Sequence, residues 1–382
     1  MPDNQQIVDA LILPYLNHAA EMYAQSYATR GDVDTAMRLG CGLPKGPLTV
    51  IDELGADAVV AGLEALHAQT GDPVHQPAEI LRSWEPAGDA ASDAAAFDGA
   101  RTVTKVGVIG SGTMATGIME VFAKAGYDVT FRARTEDKIA GVIAAITKSL
   151  NKQVEKGRLS EDERENVLDR LTGTTELEGF GDVDLIVEGI AEDLELKKEI
   201  FATLDKGCKP GAVLATTTSS LPIAEIAAVT GRPQDVIGMH FFNPATIMKL
   251  VEVVTTPETA ADVEATVLEV TASIGKVSVR CGDRAGFIVN ALLFPYLNDA
   301  VKLHVAGGGS LEEIDAAIKE SQGYPMGPFA LLDVVGNDVS LAIEQVVYEA
   351  FGHDNWKPAP LLEQKVAEGK LGRKTGAGFY DY

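Results

Sequence analysis

Two stretches of this 382-residue chain repeat one another at a fixed offset of 281 positions. ALILPYLNHAA at 10–20 returns as ALLFPYLNDAV at 291–301, and the register then continues without a gap. Asp34 aligns with Asp315, and Gly42, Pro44, Gly46 and Pro47 align with Gly323, Pro325, Gly327 and Pro328. Asp52, Gly55 and Asp57 match Asp333, Gly336 and Asp338, and Pro77-Ala78 recurs as Pro358-Ala359. From residue 9 to residue 57, 16 of 49 aligned positions are identical, and the shared Gly and Pro fix turns that packing alone would not. The chain therefore carries two copies of one module. In the second copy Ile288, Leu292, Leu293, Tyr296 and Leu297 keep the helical period, as do Ile314, Ala317 and Ile318, so the module is expected to be all-helical.

The copies bracket the rest. Residues 1–84 form an N-terminal helical module and 285–382 a C-terminal helical domain, with a central domain at 101–284. The stretch between the N-terminal module and the central domain, EPAGDAASDAAAFDGA at 85–100, has almost nothing to bury and reads as a linker. Charge then narrows the partners. With 32 Lys plus Arg against 56 Asp plus Glu, the net charge of −24 repels phosphate polymers and anionic membranes. No nucleic-acid or membrane partner is expected, and no run reaches the roughly 18 apolar residues of a spanning helix. The opening Met-Pro-Asp-Asn lacks the basic and apolar regions of a secretory signal. Cys41, Cys208 and Cys281 are odd in number and far apart, which suits neither a disulfide framework nor a metal knuckle. A cytoplasmic, reduced protein without a metal site is expected.

The central domain opens with KVGVIG at 105–110, a buried-strand pattern, followed by Gly110-Ser111-Gly112-Thr113-Met114-Ala115. A helix carrying Ile118, Val121 and Phe122 on one face comes next, then Gly126 and the strand YDVTF at 127–131. Strand, glycine turn, helix and strand make the context in which G-x-G-x-x-G/A binds a dinucleotide. Gly110 permits the tight turn, Gly112 lets backbone N–H groups approach a pyrophosphate at the helix N-terminus, and Ala115 supplies the small residue needed for packing. Further strands at 183–188, 213–216 and 236–239 complete a doubly wound, Rossmann-type α/β domain. The end of the second strand bears on the cofactor. The ribose-binding carboxylate of an NAD site is expected near Ala133, yet that position is flanked by Arg132 and Arg134. A carboxylate would repel a 2′-phosphate, whereas Arg pairs with it, so NADP(H) is favoured, with NAD(H) the alternative.

Six histidines are present, and only His240 sits at a strand end of this domain, in GMHFFNPATIMKLVEVV. Dehydrogenation of an alcohol needs a base for the hydroxyl proton, and imidazole titrates nearest neutrality. Glu252 in the apolar strand KLVEVV is placed to orient that imidazole if the strand returns beside the first. A carboxylate between Val251 and Val253 is costly to bury without a partner.

These motifs resemble the L-3-hydroxyacyl-CoA dehydrogenase family. KVGVIGSGTMATGI, TTTSSLPI, HFFNPATIMKLVEV, DRAGFIVNALLFPYLNDA, GYPMGPFALLDVVG and KTGAGFYDY carry the resemblance in family order over 103–382, nearest to the bacterial 3-hydroxybutyryl-CoA dehydrogenases. It implies interconversion of (S)-3-hydroxyacyl-CoA and 3-oxoacyl-CoA with a nicotinamide cofactor, the acyl-CoA lying between a nucleotide domain and a helical domain. It further implies that His240 is the acid–base, Glu252 its partner, Ser219 and Asn243 contacts of the substrate, and Asn290 a helical-domain residue of the same site. Glu192 and Lys197 fall where the family contacts its cofactor. Lys148, Lys152, Lys156 and Arg158 form a basic patch where the family binds the CoA nucleotide, and Lys152 is the candidate contact.

The departures lie at Ala115, at Ala245-Thr246 and in the added N-terminal module. That module has Asp9 where the second copy has Asn290, so it is expected to be structural. Family members pair through their helical domains, and 1–84 packed on 285–382 would replace that contact within one chain, giving a monomer with an internal pseudo-dimer or a homodimer. Two alternatives stay open: a dehydrogenase of a hydroxy acid that is not a CoA ester, and a non-catalytic NADP-binding scaffold.

Overall fold

The computed structural model describes residues 3–86 and 97–382. These fall into two compact units, residues 3–86 with 284–382 in one and 97–283 in the other. Most of the linker expected at 85–100 lies outside the described residues.

In the helical unit the first copy contributes α1 (Asn4–Ala24), α2 (Arg30–Cys41), α3 (Pro47–Leu54) and α4 (Ala56–Thr70). The central unit runs β1 (Lys105–Ile109), α5 (Thr113–Lys124), β2 (Asp128–Arg132), α6 (Glu136–Glu155), α7 (Glu161–Asp169), β3 (Leu171–Thr174), β4 (Leu185–Glu188), α8 (Leu194–Gly207) and β5 (Val213–Thr216). It continues with α9 (Ile223–Ala227), β6 (Val236–Phe241), β7 (Leu250–Thr255), α10 (Ala261–Ser273) and β8 (Val277–Gly282). The second copy then adds α11 (Val289–Val305), α12 (Leu311–Gln322), α13 (Pro328–Val335), α14 (Asn337–Phe351) and α15 (Pro360–Ala367).

The offset of 281 carries α2, α3 and α4 onto α12, α13 and α14 residue for residue. The shared polar residues make the same bonds in each copy. Asp34 accepts from the backbone N–H of Leu48 and Thr49 at 2.8 and 3.0 Å, and Asp315 from Phe329 and Ala330 at 2.9 and 3.0 Å. Each carboxylate thereby caps the orphan amides of the following helix, which begins with Pro. The glycine before that Pro is required by space: a Cβ on Gly46 or Gly327 would stand 2.2 or 2.3 Å from the capping carboxylate. Asn17 likewise bonds Gln76 O and Ala78 N, and Asn298 bonds Lys357 O and Ala359 N, at 2.7–2.9 Å throughout.

The copies part at Asp52 and Asp333. Asp333 accepts from the Phe379 and Tyr380 amides, both at 2.8 Å, and so secures the C-terminal tail. Asp52 instead receives Trp84 Nε1 at 2.7 Å and the Arg30 guanidinium at 2.5 Å, with Arg30 stacked on the Trp84 ring. The two copies touch. Tyr15 and Tyr296, equivalent by the repeat, have ring centroids 5.8 Å apart, and His18 lies 4.5 Å from Trp356.

In the central unit eight strands form one sheet in the order β3-β2-β1-β4-β5-β6-β7-β8. All neighbours are parallel except β6 and β7, which run antiparallel. Strand order reverses beside β1, and that switch point opens a crevice at the strands' carboxyl ends. Val106, Val108, Phe131, Leu185 and Val187 belong to the buried core that holds the strands in place. Two further strands join those expected: β3, only four residues long, and β8, whose residues alternate between partly exposed and buried.

Candidate active site

The turn after β1 is shaped by close approach. Gly110 has φ +130°, and a Cβ there would stand 2.5 Å from Gly189 O, so only glycine fits. A Cβ on Gly112 meets nothing within 4 Å, which leaves the turn's outer face open. Ala115 is wholly buried, and a Cβ added at Gly189 would stand 3.4 Å from its methyl, so the third position of the turn leaves room for only a small residue against the end of β4. Ser111, Thr113 and Met114 line the resulting crevice together with Arg132, Ala133 and Arg134 from the end of β2 and Gly189–Ala191 from the end of β4. The first amides of α5 have no partners within the helix, and this end suits a pyrophosphate. The crevice fits a dinucleotide. Arg132 is partly engaged, donating from Nε to Thr175 O at 3.2 Å, whereas Arg134 is exposed.

Antiparallel pairing of β6 with β7 sets His240 opposite Glu252. His240 Nδ1 and Glu252 Oε2 are 2.6 Å apart, with the carboxylate wholly buried and the imidazole nearly so. An ionised carboxylate only accepts, so in this contact Nδ1 carries the proton. Phe242 packs at 4.6 Å from the imidazole and restricts its rotation. After β6 the chain turns through Asn243, which is exposed, and a cis Asn243–Pro244 bond. Lys276 Nζ donates to the carbonyls of Ala245 and Met248 and clasps this turn. Burial, with Lys249 and Lys124 nearby, pushes that ammonium down to about 8.

Ser219 follows β5. Its N–H and hydroxyl donate to Glu192 Oε1 at 2.7 and 3.1 Å, and Thr218 Oγ1 donates to the same atom at 2.6 Å. Burial alone would raise the Glu192 carboxyl, but the Lys197 charge and these hydrogen bonds outweigh it and hold it below its ordinary value. Lys197 is fully buried and bonded to Glu188, at 2.8 and 2.9 Å to its two oxygens. Its ammonium is therefore directed into the protein. Glu188 and Thr216, which complete this cluster, were absent from the residues singled out in the sequence. The only clue there is a carboxylate ending an otherwise apolar strand. Asn290 lies in the other unit, in the first turn of α11, and is buried. Lys148 and Lys152 lie on α6 beside Thr147 and Asn151 along a shallow groove, and Lys156 caps that helix. Among the described residues no group of His, Cys, Asp and Glu could hold a metal ion, and no helix is long and apolar enough to cross a membrane.

A dinucleotide crevice built on the same sheet as a buried imidazole–carboxylate pair defines an oxidoreductase with a nicotinamide cofactor. The chain belongs to the 3-hydroxyacyl-CoA dehydrogenase family: its NAD-binding domain model matches residues 105–284, and the C-terminal domain model matches twice, at 7–96 and 286–382. The second match gives the repeat its identity as a duplicated helical domain. Over 73% of this chain and 99% of the other, it is 46% identical to a 3-hydroxybutyryl-CoA dehydrogenase of Clostridioides difficile. The crystal structure of (S)-3-hydroxybutyryl-CoA dehydrogenase from Ralstonia eutropha matches with a TM-score of 0.72 at 35% identity, over 74% of this chain and 99% of that one. The dehydrogenase part of Caenorhabditis elegans multifunctional enzyme 1 covers 93% of this chain and 73% of its own, with a TM-score of 0.54 at 27% identity.

Proposed function

We propose that the chain interconverts short-chain (S)-3-hydroxyacyl-CoA and 3-oxoacyl-CoA, 3-hydroxybutyryl-CoA first among them, in acyl-CoA metabolism. The reading is carried by the 2.6 Å contact between His240 and Glu252, and the similarity to 3-hydroxybutyryl-CoA dehydrogenases supports the substrate. The bound nicotinamide supplies the hydride acceptor or donor. His240 Nε2 takes the 3-hydroxyl proton in oxidation and returns it to the forming alkoxide in reduction, and Glu252 stabilises the imidazolium between those events. Because the Ser219 hydroxyl spends its proton on Glu192, it accepts from a ligand rather than donates. Asn243 brings an amide donor to the turn beside His240, and the family resemblance alone assigns Asn290 a part in the same reaction. Lys152 and Lys148 offer charge to the CoA phosphates.

Arg134, exposed beside the buried Ala133, supports NADP(H) as the preferred cofactor. The N-terminal copy takes the place of a second chain's helical domain. Kinetics with acetoacetyl-CoA, NADH and NADPH side by side test the whole reading. We expect NADPH to be preferred and His240→Ala to cost about 10²–10⁴-fold in kcat. Arg134→Asp should weaken NADPH by about tenfold or more while sparing NADH, since one charge-assisted hydrogen bond carries at least that factor. Full activity of His240→Ala, or turnover of free 3-hydroxy acids without CoA, would refute it.

A further inference from the structure

The hydrogen bonds beneath Ser219 close into a ring through one ion pair. At the end of β4 the Glu188 carboxylate is wholly buried and accepts four bonds: two from Lys197 Nζ, one from Thr216 Oγ1 at 2.7 Å and one from the Ile190 amide at 2.6 Å. Thr216 Oγ1 in turn accepts from the Thr218 amide at 3.3 Å, and Thr218 Oγ1 donates to Glu192 at 2.6 Å. Glu192 Oε2 returns to Lys197 Nζ at 3.5 Å. Ser219 hangs from this ring by its amide and hydroxyl, both on Glu192.

We propose that Glu188 is a positioning residue: from the carboxyl end of the interior strand β4 it fixes Lys197 and Thr216, and through them holds Glu192 on Ser219. The charges explain why a second carboxylate is needed. Lys197 is buried and requires a counter-ion. Without Glu188 that role falls to Glu192 alone, and a carboxylate drawn fully onto Lys197 moves away from the Ser219 amide and hydroxyl that it now receives. The Ile190 amide, also tied to Glu188, belongs to the turn that lines the dinucleotide crevice, so the same carboxylate steadies both halves of the site.

This rests on the reading of Ser219 as a ligand contact, and a double-mutant cycle separates the two. Glu188→Gln keeps the shape and removes the charge. In the parent chain it should lower kcat for acetoacetyl-CoA reduction by about tenfold, the factor one hydrogen bond to a charged group carries. With Ser219→Ala already in place and the dinucleotide saturating, so that the crevice is filled in every variant, the further loss in kcat should be under about twofold, because the lever no longer has a load. Equal fold-loss in both backgrounds, or no loss in the parent, overturns the proposal. Should Glu188→Gln fail to fold, Thr216→Val removes one link and no charge, and its kcat loss must vanish in the Ser219→Ala background or the proposal falls. If the parent does not reduce acetoacetyl-CoA, the functional reading fails instead. Titration of reduced dinucleotide fluorescence then decides: about tenfold weaker binding in Glu188→Gln supports the proposal, and unchanged binding overturns it.

Discussion

Replacing Glu252 by Gln is the sharpest probe of the site, because it keeps volume and removes only charge. The carboxylate lies between Val251 and Val253 with no solvent exposure, and its Oε2 is 2.6 Å from His240 Nδ1. The amide oxygen of the introduced glutamine still accepts from Nδ1–H, so the tautomer survives and the imidazolium alone is disfavoured. A hydrogen bond to a charged partner contributes about 1.5–3 kcal/mol, a neutral one about 0.5–1.5, so the change removes about 1–2 kcal/mol. At 1.36 kcal/mol per decade that is about 5–30-fold in rate. The overall equilibrium constant is fixed by substrate and product, so kcat/KM must fall by the same factor in both directions at one pH. Dinucleotide affinity should not change, since Glu252 does not line the crevice. Steady-state kinetics in both directions, with dinucleotide titration alongside, measure this. Activity within twofold of the parent would show that the carboxylate only fills space.

Other expectations concern the duplicated copies. Asn17→Ala and Asn298→Ala should each cost about 1–3 kcal/mol in chemical denaturation, because each leaves a buried amide and carbonyls unpaired; a neutral result at either site refutes the equivalence. The equivalent positions 18 and 299 should respond to pH in opposite directions. Burial, with Arg284 and His353 adding to it, pushes His18 down to about 3 from 6.5, so the unfolded chain binds that proton more readily and stability is lost as pH falls below about 6.5. Burial raises Asp299 to about 7 from 3.8 against the pull of Lys302, so its contribution is lost as pH rises towards 7. Asp299→Asn should therefore stabilise the protein at pH 8 and change little at pH 4, read by denaturant midpoints at both.

The fold was legible where spacing carries geometry. The offset of 281 located both helical copies, and the strand–glycine–helix order around Gly110 located the crevice, because turns and close approaches demand particular residues. The pairing of His240 with Glu252 depended on β7 returning antiparallel beside β6, a fact of tertiary register that the twelve-residue spacing permits without requiring. β3 escaped notice because four residues leave too weak a pattern, whereas β8 does carry the alternation of Val277, Val279 and Cys281 that marks a half-buried strand. The ring through Glu188, Thr216, Glu192 and Lys197 was hidden for a different reason. Its members come from β4, β5, α8 and a loop, and only the assembled sheet shows that the Lys197 ammonium faces inward.

A symmetric pair of separate chains must use one sequence on both sides of its dyad, so each residue is a compromise between two roles. Once both sides are written into a single polypeptide that constraint lifts, and dilution no longer parts them. His18 against Trp356, where the opposite copy has Asp299 close to Lys302, shows the two faces already diverging, one towards stacking and the other towards charge.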